Sequence, residues 1–217
     1  MLYKQVGSDH NPTSFRLAFI AWLNKDYKQA TSLFAELQER LGTLGEKFTR
    51  NALSGYLGEL ELEQDNLDQA RIYFEQGLER ARELQNPWAI AIFLGASGSL
   101  FYLNGDIKKF KQQVIEGISI VKTLPRTIKK KFLFHVLNSI HTYKPTHSTY
   151  ILGALHNYER NSQPPISPWD KHGYDRAEAH VRDVLSSTTF ESVFAEGQKM
   201  SLDDGLDLVL KIAEEIE

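Results

Sequence analysis

The sequence contains no cysteine and only two methionines, and helix-breaking residues are few, with 14 glycines and seven prolines among 217 residues. The absence of cysteine excludes disulfides, thiol nucleophiles and cysteine-ligated zinc or iron–sulfur centres. The densest apolar run, Trp88 to Leu94, is far shorter than the roughly 20 residues of a membrane-spanning helix. The first residues also lack the apolar core of a secretory signal. We therefore expect a cytoplasmic protein.

No charge of one sign dominates the chain, which has 28 acidic and 25 basic residues and a net charge of −3. This balance gives no bulk attraction for nucleic acid or for an acidic membrane. With 41% hydrophobic residues, the composition is typical of a globular protein. A chain of this length buries roughly 70% of its unfolded surface, so it needs no metal or disulfide to fold.

Helical spacing of apolar residues runs almost uninterrupted from 13 to 122, and alternation of period two is absent there. The pattern predicts an all-α fold. The predicted helices are 13–24, 27–41, 47–63, 67–84, 87–103 and 107–122, followed by a weaker pair at 127–142 and 147–160.

A 40-residue interval relates three copies of one pattern. The aligned sets are Ala18, Gly58 and Gly98; Asp26, Asn66 and Asp106; Tyr27, Leu67 and Ile107; Ala30, Ala70 and Phe110; Phe34, Phe74 and Val114; and Leu37, Gly77 and Gly117. Each copy predicts a helical hairpin in which small residues allow a close crossing and bulky ones fill the space between hairpins. The Asp or Asn in each turn is expected to cap the second helix, with Gln29 and Gln69 completing the pattern. Because one hairpin cannot bury its apolar face alone, the copies are predicted to stack.

These residue types resemble the tetratricopeptide repeat (TPR). The matching residues are Leu57-Gly58, Leu67, Ala70, Phe74 and Gly77-Leu78 in the second copy, and Leu17-Ala18, Tyr27, Ala30, Phe34 and Leu37 in the first. The third copy departs at Ser97 and Phe110, and the interval exceeds the family's 34 residues by six. The resemblance implies a right-handed α-α superhelix of TPR-like hairpins over residues 1–160, with three clear repeats and one degenerate repeat.

Residues 161–217 form a second region, in which a proline-containing connector at 161–168 precedes two or three short helices. The last helix is predicted to start at Ser201, with Asp204 completing a capping box. Leu152-Gly153-Ala154, the connector, the segment Phe190 to Gly197 and the final helix resemble the end of the TPR region in bacterial STAND-class signalling ATPases, LuxR-type activators and cyclase-linked regulators. Gly205 stands where that family usually has alanine.

The resemblance implies a noncatalytic protein-interaction or ligand-sensing module of a bacterial signalling or transcription-regulatory system. The chain has no phosphate-binding loop, since Gly42 to Lys47 has the wrong spacing, so it resembles the sensor end without the ATPase. First helices line the concave groove in such repeats. The groove residues predicted to bind a partner are Arg16, Phe19, Trp22, Tyr56, Glu59, Glu63, Ser99 and Tyr102.

The expected partner is a protein or peptide, or a small inducer. The first helix is apolar and lacks the polar outer face of a terminal repeat. We therefore expect it to pack against an upstream ATPase or regulatory domain, a missing repeat, or a second copy of the chain. The alternative for Phe19 and Trp22 is that something covers them.

No catalytic or metal site stands out. The seven histidines include no His-Glu-x-x-His motif and no i, i+4 pair, and no Ser, His and acid grouping rises above chance. Gly95 to Ser99 lies inside a predicted helix, where it favours close helix contact over phosphate binding. We expect no enzyme activity, no metal and no cofactor.

Charge is distributed unevenly along the chain. Residues 108–131 hold eight basic residues and one acidic residue, whereas residues 170–217 hold 12 acidic and five basic residues. Intramolecular or partner-directed charge complementarity is the favoured interpretation. The alternative function is a nucleic-acid-binding helical repeat that uses the basic 108–131 segment.

Overall fold

Helices account for all the regular secondary structure in the computed structural model, which describes residues 12–40, 47–161 and 168–216. No strand occurs in these ranges, so the all-α prediction is confirmed. The helices are α1 Pro12–Leu23, α2 Tyr27–Arg40, α3 Lys47–Glu63, α4 Leu67–Glu83, α5 Pro87–Leu103, α6 Ile107–Val121, α7 Arg126–Ile140, α8 Pro145–Arg160, α9 Pro168–Val184, α10 Ser187–Gly197 and α11 Leu202–Glu215. None of these helices is long and apolar enough to cross a bilayer.

The predicted helix boundaries are confirmed to within two residues in the repeat region. Helices α2, α4 and α6 begin at Tyr27, Leu67 and Ile107, which are 40 residues apart. Helices α3 and α5 begin at Lys47 and Pro87, also 40 residues apart. The chain divides into two compact units, residues 1–89 and 90–217. The first unit contains α1 to α4, and the second contains nearly all of α5 and the helices that follow it.

Three predicted turns have the same backbone form. Lys25, Asp65 and Gly105 occupy the left-handed region, with φ of 62°, 59° and 78°. Only glycine adopts this region without a steric cost, so Gly105 suits its turn better than Lys25 or Asp65.

Turn capping was predicted correctly for two of the three hairpins. Asp26 accepts a hydrogen bond from the Gln29 amide at 3.1 Å, and Asp106 accepts one from the Lys109 amide at 3.1 Å. The prediction for Asn66 is wrong, because its side chain makes no cap hydrogen bond. The Asn66 amide instead donates to Glu61 Oε2 at 2.9 Å and compensates a carboxylate that is 8% exposed.

Small residues allow the close crossings that the repeat pattern predicted. A Cβ added at Gly58 would lie 2.6 Å from Cδ1 of Phe74, so α3 and α4 meet through this ring. In the second unit, a Cβ added at Gly117 would lie 3.0 Å from Cζ of Phe132, at the contact between α6 and α7. Phe34, Phe74 and Phe132 are each at most 1% exposed.

The C-terminal helices α9, α10 and α11 pack on α7 and α8. Backbones meet where α8 crosses α10, since a Cβ added at Gly153 would lie 2.5 Å from the Phe194 carbonyl oxygen. Three helices follow the connector, as predicted, although α9 has 17 residues rather than being short. Residues 162–167 of the predicted connector lie outside the described residues, and Pro168 is the first residue of α9.

The predicted capping box of α11 is confirmed. The Ser201 hydroxyl accepts from the Asp204 amide at 3.1 Å, and Asp204 Oδ2 accepts from the Ser201 amide at 2.8 Å. The hydrogen bonds that the Ser201 amide and hydroxyl donate to this carboxylate hold the pKa of Asp204 below its ordinary value.

Candidate functional site

An aromatic cluster joins α1, α2 and α3 in the first unit. It consists of Phe15, Phe19, Trp22, Phe34 and Tyr56. Tyr56 packs edge-on against Phe19, with ring centroids 5.1 Å apart, and stacks on Phe34 at 5.5 Å. Phe34 is fully buried and lies beneath the other rings, so the cluster has a rigid base.

Three predicted groove residues therefore lie together, but they differ in exposure. Trp22 is 6% exposed and stacks on Phe19 with ring centroids 6.1 Å apart. Phe19 and Tyr56 are half-buried. Helices of its own unit therefore bury Trp22, and the alternative that Phe19 and Trp22 are covered holds for Trp22 alone. Of the three rings, Phe19 and Tyr56 retain accessible surface.

Two carboxylates follow Tyr56 on α3. Glu59 and Glu63 lie three and seven residues after Tyr56, which places all three on one side of the helix, and all three are half-buried. Tyr27 donates to Glu63 Oε2 at 3.4 Å. Burial, followed by the nearby Glu63 charge, raises the pKa of Tyr27. The predicted groove residue Arg16 is exposed on α1.

We call Phe19, Tyr56, Glu59 and Glu63 the α1–α3 face. It combines aromatic surface with two acidic groups on neighbouring helices of one unit. Aromatic rings and carboxylates together suit the side chain of lysine or arginine, since the ring faces and the carboxylates both attract a cation. No covalent chemistry follows from this arrangement.

Ser99 and Tyr102, the remaining predicted groove residues, belong to the second unit. Ser99 is 5% exposed, and its hydroxyl donates to the His135 carbonyl oxygen at 2.5 Å, which joins α5 to α7. Tyr102 is half-buried and packs edge-on against Phe110 at 5.3 Å. Ser99 therefore serves helix packing, a role that the repeat register alone did not indicate.

The small-residue segment Gly95 to Ser99 lies inside α5, and its predicted role in close helix contact is confirmed. A Cβ added at Gly95 would lie 3.0 Å from Cδ2 of Phe132 on α7. A Cβ added at Gly98 would lie 3.3 Å from Cγ2 of Val114 on α6. The departure at Ser97 is accommodated by a hydrogen bond to Gln113 Oε1 at 2.5 Å.

Lysines of the basic segment pair with the acidic C-terminal region, so the predicted intramolecular charge complementarity is confirmed. Lys122 Nζ lies 2.5 Å from Asp207 Oδ1, and Lys129 Nζ lies 2.6 Å from Asp203 Oδ1. Lys111 donates to the Ile216 carbonyl oxygen at 2.9 Å, where a cation complements the C-terminal end of α11.

A further lysine of the basic segment is buried in an ion pair with α8. Lys130 Nζ lies 2.8 Å from Glu159 Oε1, and these two side chains are only 10% and 9% exposed. Lys129 is also buried, at 8% exposure. Of the three consecutive lysines at 129–131, Lys129 and Lys130 therefore form ion pairs within the chain.

Among the described residues, no group of three or more His, Asp and Glu side chains is arranged to hold a metal ion. The fold does bring together His141 of α7 and His180 of α9, whose ring centroids are 5.0 Å apart. Burial lowers the pKa of His141, and the charges of His180 and Arg176 lower it further, although a hydrogen bond with the Leu137 carbonyl acts in the opposite direction. Sequence spacing could not show this pair, because 39 residues separate its members.

No family model matches the chain. No curated protein matches it either. The geometry of the described residues and the residue types quoted above therefore carry the functional argument.

Proposed function

We propose that the chain is a noncatalytic, TPR-like interaction module of a bacterial signalling or transcription-regulatory system, and that it binds a protein or peptide through the α1–α3 face. The observation that carries this proposal is the position of half-buried Phe19, Tyr56, Glu59 and Glu63 on neighbouring first helices, above the fully buried Phe34. Rigid aromatic side chains with partial exposure are the usual anchors of a binding surface.

The chemistry of this face favours a segment with basic and apolar side chains. A lysine or arginine of the ligand would lie over Tyr56 or Phe19 and pair with Glu59 or Glu63, as cation–π contacts and charge-assisted hydrogen bonds require. A small cationic inducer would use the same groups. The signalling role rests on the resemblance of residues 148–212 to the ends of TPR regions in regulators.

The test is selection from a random peptide library displayed on phage, followed by affinity measurements with the selected peptides. We expect the selected sequences to be rich in lysine, arginine and aromatic residues. The variant Glu59→Gln/Glu63→Gln should weaken binding about 10- to 100-fold, because it removes both charges with little change of shape. The matched control is Glu39→Gln, which neutralises an exposed carboxylate on α2.

Tyr56 provides a second test of the same face. Replacing Tyr56 by leucine removes the ring and should weaken binding by about 1–3 kcal/mol, whereas Tyr56→Phe keeps the ring and should change affinity little. Thermal unfolding of both variants shows whether a loss of affinity reflects a loss of folding. Selected peptides that bind equally well to all these variants would place the binding surface elsewhere and contradict the proposal.

The alternative, nucleic-acid binding through residues 108–131, predicts affinity that falls steeply with salt. It also predicts loss of binding when Lys129, Lys130 and Lys131 are neutralised, in a variant that thermal unfolding shows to be folded, since Lys129 and Lys130 also pair within the chain. Fluorescence anisotropy with labelled duplex and single-stranded oligonucleotides at 50 and 200 mM salt separates the two proposals. Salt-dependent binding to oligonucleotides with no selected peptide would favour the alternative.

A further inference from the structure

The outer side of α1 leaves apolar side chains in contact with solvent. Leu17 and Ile20 are 48% and 53% exposed. They lie on the opposite side of α1 from Phe15, Phe19 and Trp22, which form the aromatic cluster. Arg16, the only charged residue of α1, lies one turn before Ile20 and forms the edge of this side of the helix. We call this side the α1 outer face.

The positions equivalent to Leu17 and Ile20 are buried in the other repeats. At intervals of 40 residues, Leu17 corresponds to Leu57, Ser97 and Leu137, which are all 0% exposed. Ile20 corresponds to Leu60, Leu100 and Ile140, which are at most 1% exposed. These positions are buried in α3, α5 and α7, and the exposure in α1 is the exception.

In α3 the cover is the second helix of the preceding hairpin. Helix α2 packs on α3, with Phe34 stacked on Tyr56 and with Gln38 Nε2 donating to Ser54 Oγ at 2.9 Å. Around the axis of α3, Leu57 and Leu60 lie between Tyr56 and Ser54, on the side that faces α2. In the second unit, α6 contacts α7, which carries Leu137 and Ile140.

We propose that the α1 outer face is a docking surface for an amphipathic helical hairpin of a partner protein. The second helix of that hairpin takes the place on Leu17 and Ile20 that α2 takes on Leu57 and Leu60. This surface is separate from the α1–α3 face, so a peptide in that face and a docked hairpin can be bound together. Apolar shape and helical form select this partner, and Arg16 lies at the edge of the contact.

The absence of cysteine provides a direct measurement, since a single introduced cysteine is the only thiol in the chain. Ile20→Cys and its equivalent Leu60→Cys form a matched pair, and Ile72→Cys, on an exposed position of α4, is the control. In the chain as it is, a maleimide should label Cys at 20 and at 72 at similar rates. Labelling at 60 should be at least ~100-fold slower, because it requires local opening.

The docking step is tested by supplying the missing contact. A copy of residues 47–86, the α3–α4 hairpin, is added ahead of residue 7, which preserves the 40-residue register. The added hairpin should slow labelling at position 20 by at least ~10-fold and leave labelling at position 72 unchanged. A Gly/Ser extension of the same length is the matched control and should protect neither position. The denaturation midpoint should rise only with the hairpin, as expected for a nearest-neighbour interface.

Three outcomes would overturn the proposal. Slow labelling at position 20 in the unextended, dilute chain would mean that the face is already covered. Protection that grows with the concentration of the unextended chain would identify a second copy as the occupant. Continued rapid labelling in a hairpin-extended chain with increased helical circular dichroism would show that the face does not accept a hairpin.

A second probe applies if the added hairpin does not fold. A synthetic peptide of residues 27–40, the α2 sequence, should slow labelling at position 20 at millimolar concentration and leave labelling at position 72 unchanged. A labelling rate at position 20 that the peptide does not change would contradict the proposal.

Discussion

The first hairpin, α1–α2, and the last one, α7–α8, treat equivalent positions in opposite ways. In α7, Leu137 and Ile140 are fully buried, whereas Leu17 and Ile20 of α1 are about half exposed. The last hairpin is also enclosed by α9, α10 and α11, which pack on it from the C-terminal region. These two positions therefore carry apolar residues in both hairpins, whether or not a neighbouring helix covers them.

Covering the last hairpin requires features that the first hairpin lacks. Gly153 and Gly197 let the backbones of α8 and α10 touch. The buried pair Lys130 and Glu159 joins α7 to α8, and the capping box at Ser201 sets the start of α11. In the first hairpin, the aromatic cluster on the inner side of α1 is the main contact with α2 and α3. Close backbone fits and a buried ion pair thus specify the packing of the last hairpin, whereas apolar burial specifies that of the first.

The largest expected effect is at the covered end. Replacing Lys130 by methionine should destabilise the protein by about 3–5 kcal/mol, because it leaves the Glu159 carboxylate buried without a compensating charge. Urea denaturation measures the loss. Adding Glu159→Leu should restore most of it, since the uncompensated charge is then gone.

A surface pair of the same segment is the control for Lys130. Lys122 pairs with Asp207, whose side chain is 62% exposed. Lys122→Met should therefore cost only about 0–1 kcal/mol. Equal losses in the Lys122 and Lys130 variants would contradict the distinction between buried and surface pairs.

The next largest effect compares equivalent positions directly. Leu60→Ala should cost about 2–5 kcal/mol, because it opens a cavity between α2 and α3. Ile20→Ala, at the half-exposed equivalent position, should cost about 1 kcal/mol or less. Denaturant midpoints of the two variants, at equal denaturant dependence, give the comparison. Similar costs would mean that the α1 outer face is covered in solution.

Closing the gap between α8 and α10 should have an intermediate effect. Gly153→Ala places a methyl group 2.5 Å from the Phe194 carbonyl oxygen and 2.7 Å from the Gly197 carbonyl carbon. Neither backbone atom can rotate away, so we expect a loss of about 1–3 kcal/mol by calorimetry or denaturant unfolding.

Gly205→Ala is the matched glycine control. Its Cβ would lie 3.3 Å from Cδ1 of Leu133, a flexible side-chain end, and alanine favours the helix by up to about 1 kcal/mol. We expect stability to be unchanged or increased. A loss as large as that of Gly153→Ala would show that α11 is packed as tightly as α10.

The smallest effect concerns pH. The pKa of His141 is lowered in the folded protein, mainly by burial, so folding favours its neutral form. Its contribution to stability is complete above its ordinary pKa of about 6.5 and is lost as the pH falls through the lowered value. The free energy of unfolding should therefore decrease as the pH falls from about 6.5 to the lowered pKa of His141, with no further loss from this group below it. His141→Gln should flatten this decrease, and an unchanged slope would assign it to other groups such as His147, whose pKa burial also lowers.

The sequence predicted the helices well because their determinants are local and repeated. Periodic apolar residues placed the starts of α2, α4 and α6 correctly, and the net charges of residues 108–131 and 170–217 anticipated the pairs of Lys122 and Lys129 with α11. Asn66 was misassigned because its partner, Glu61, lies one turn back and is buried. A capping rule considers only the backbone amides of the following turn, so it does not include a hydrogen bond from the same side chain to a buried carboxylate.

The candidate site was predicted less completely, because a repeat register gives the side of a helix and not what lies against it. Phe19, Tyr56, Glu59 and Glu63 remain partly accessible, as a groove requires. Ser99 is the 40-residue equivalent of Phe19 and Glu59, but it is buried against the His135 carbonyl. Trp22 was assigned to the same groove and is buried by Phe19 and Phe34. These contacts depend on side-chain sizes in neighbouring helices, up to 36 residues away.

The left-handed residue in the interhelical turns has one further consequence. Lys25, Asp65 and Gln85 hold this conformation with φ between 49° and 62°, although each carries a side chain. Aspartate tolerates this backbone better than most residues, but lysine and glutamine do not favour it, so the packed helices on either side hold Lys25 and Gln85 there. The conformation of these turns therefore follows from the packing of the helices. We expect the turn residues to tolerate substitution as long as the helices on either side stay packed.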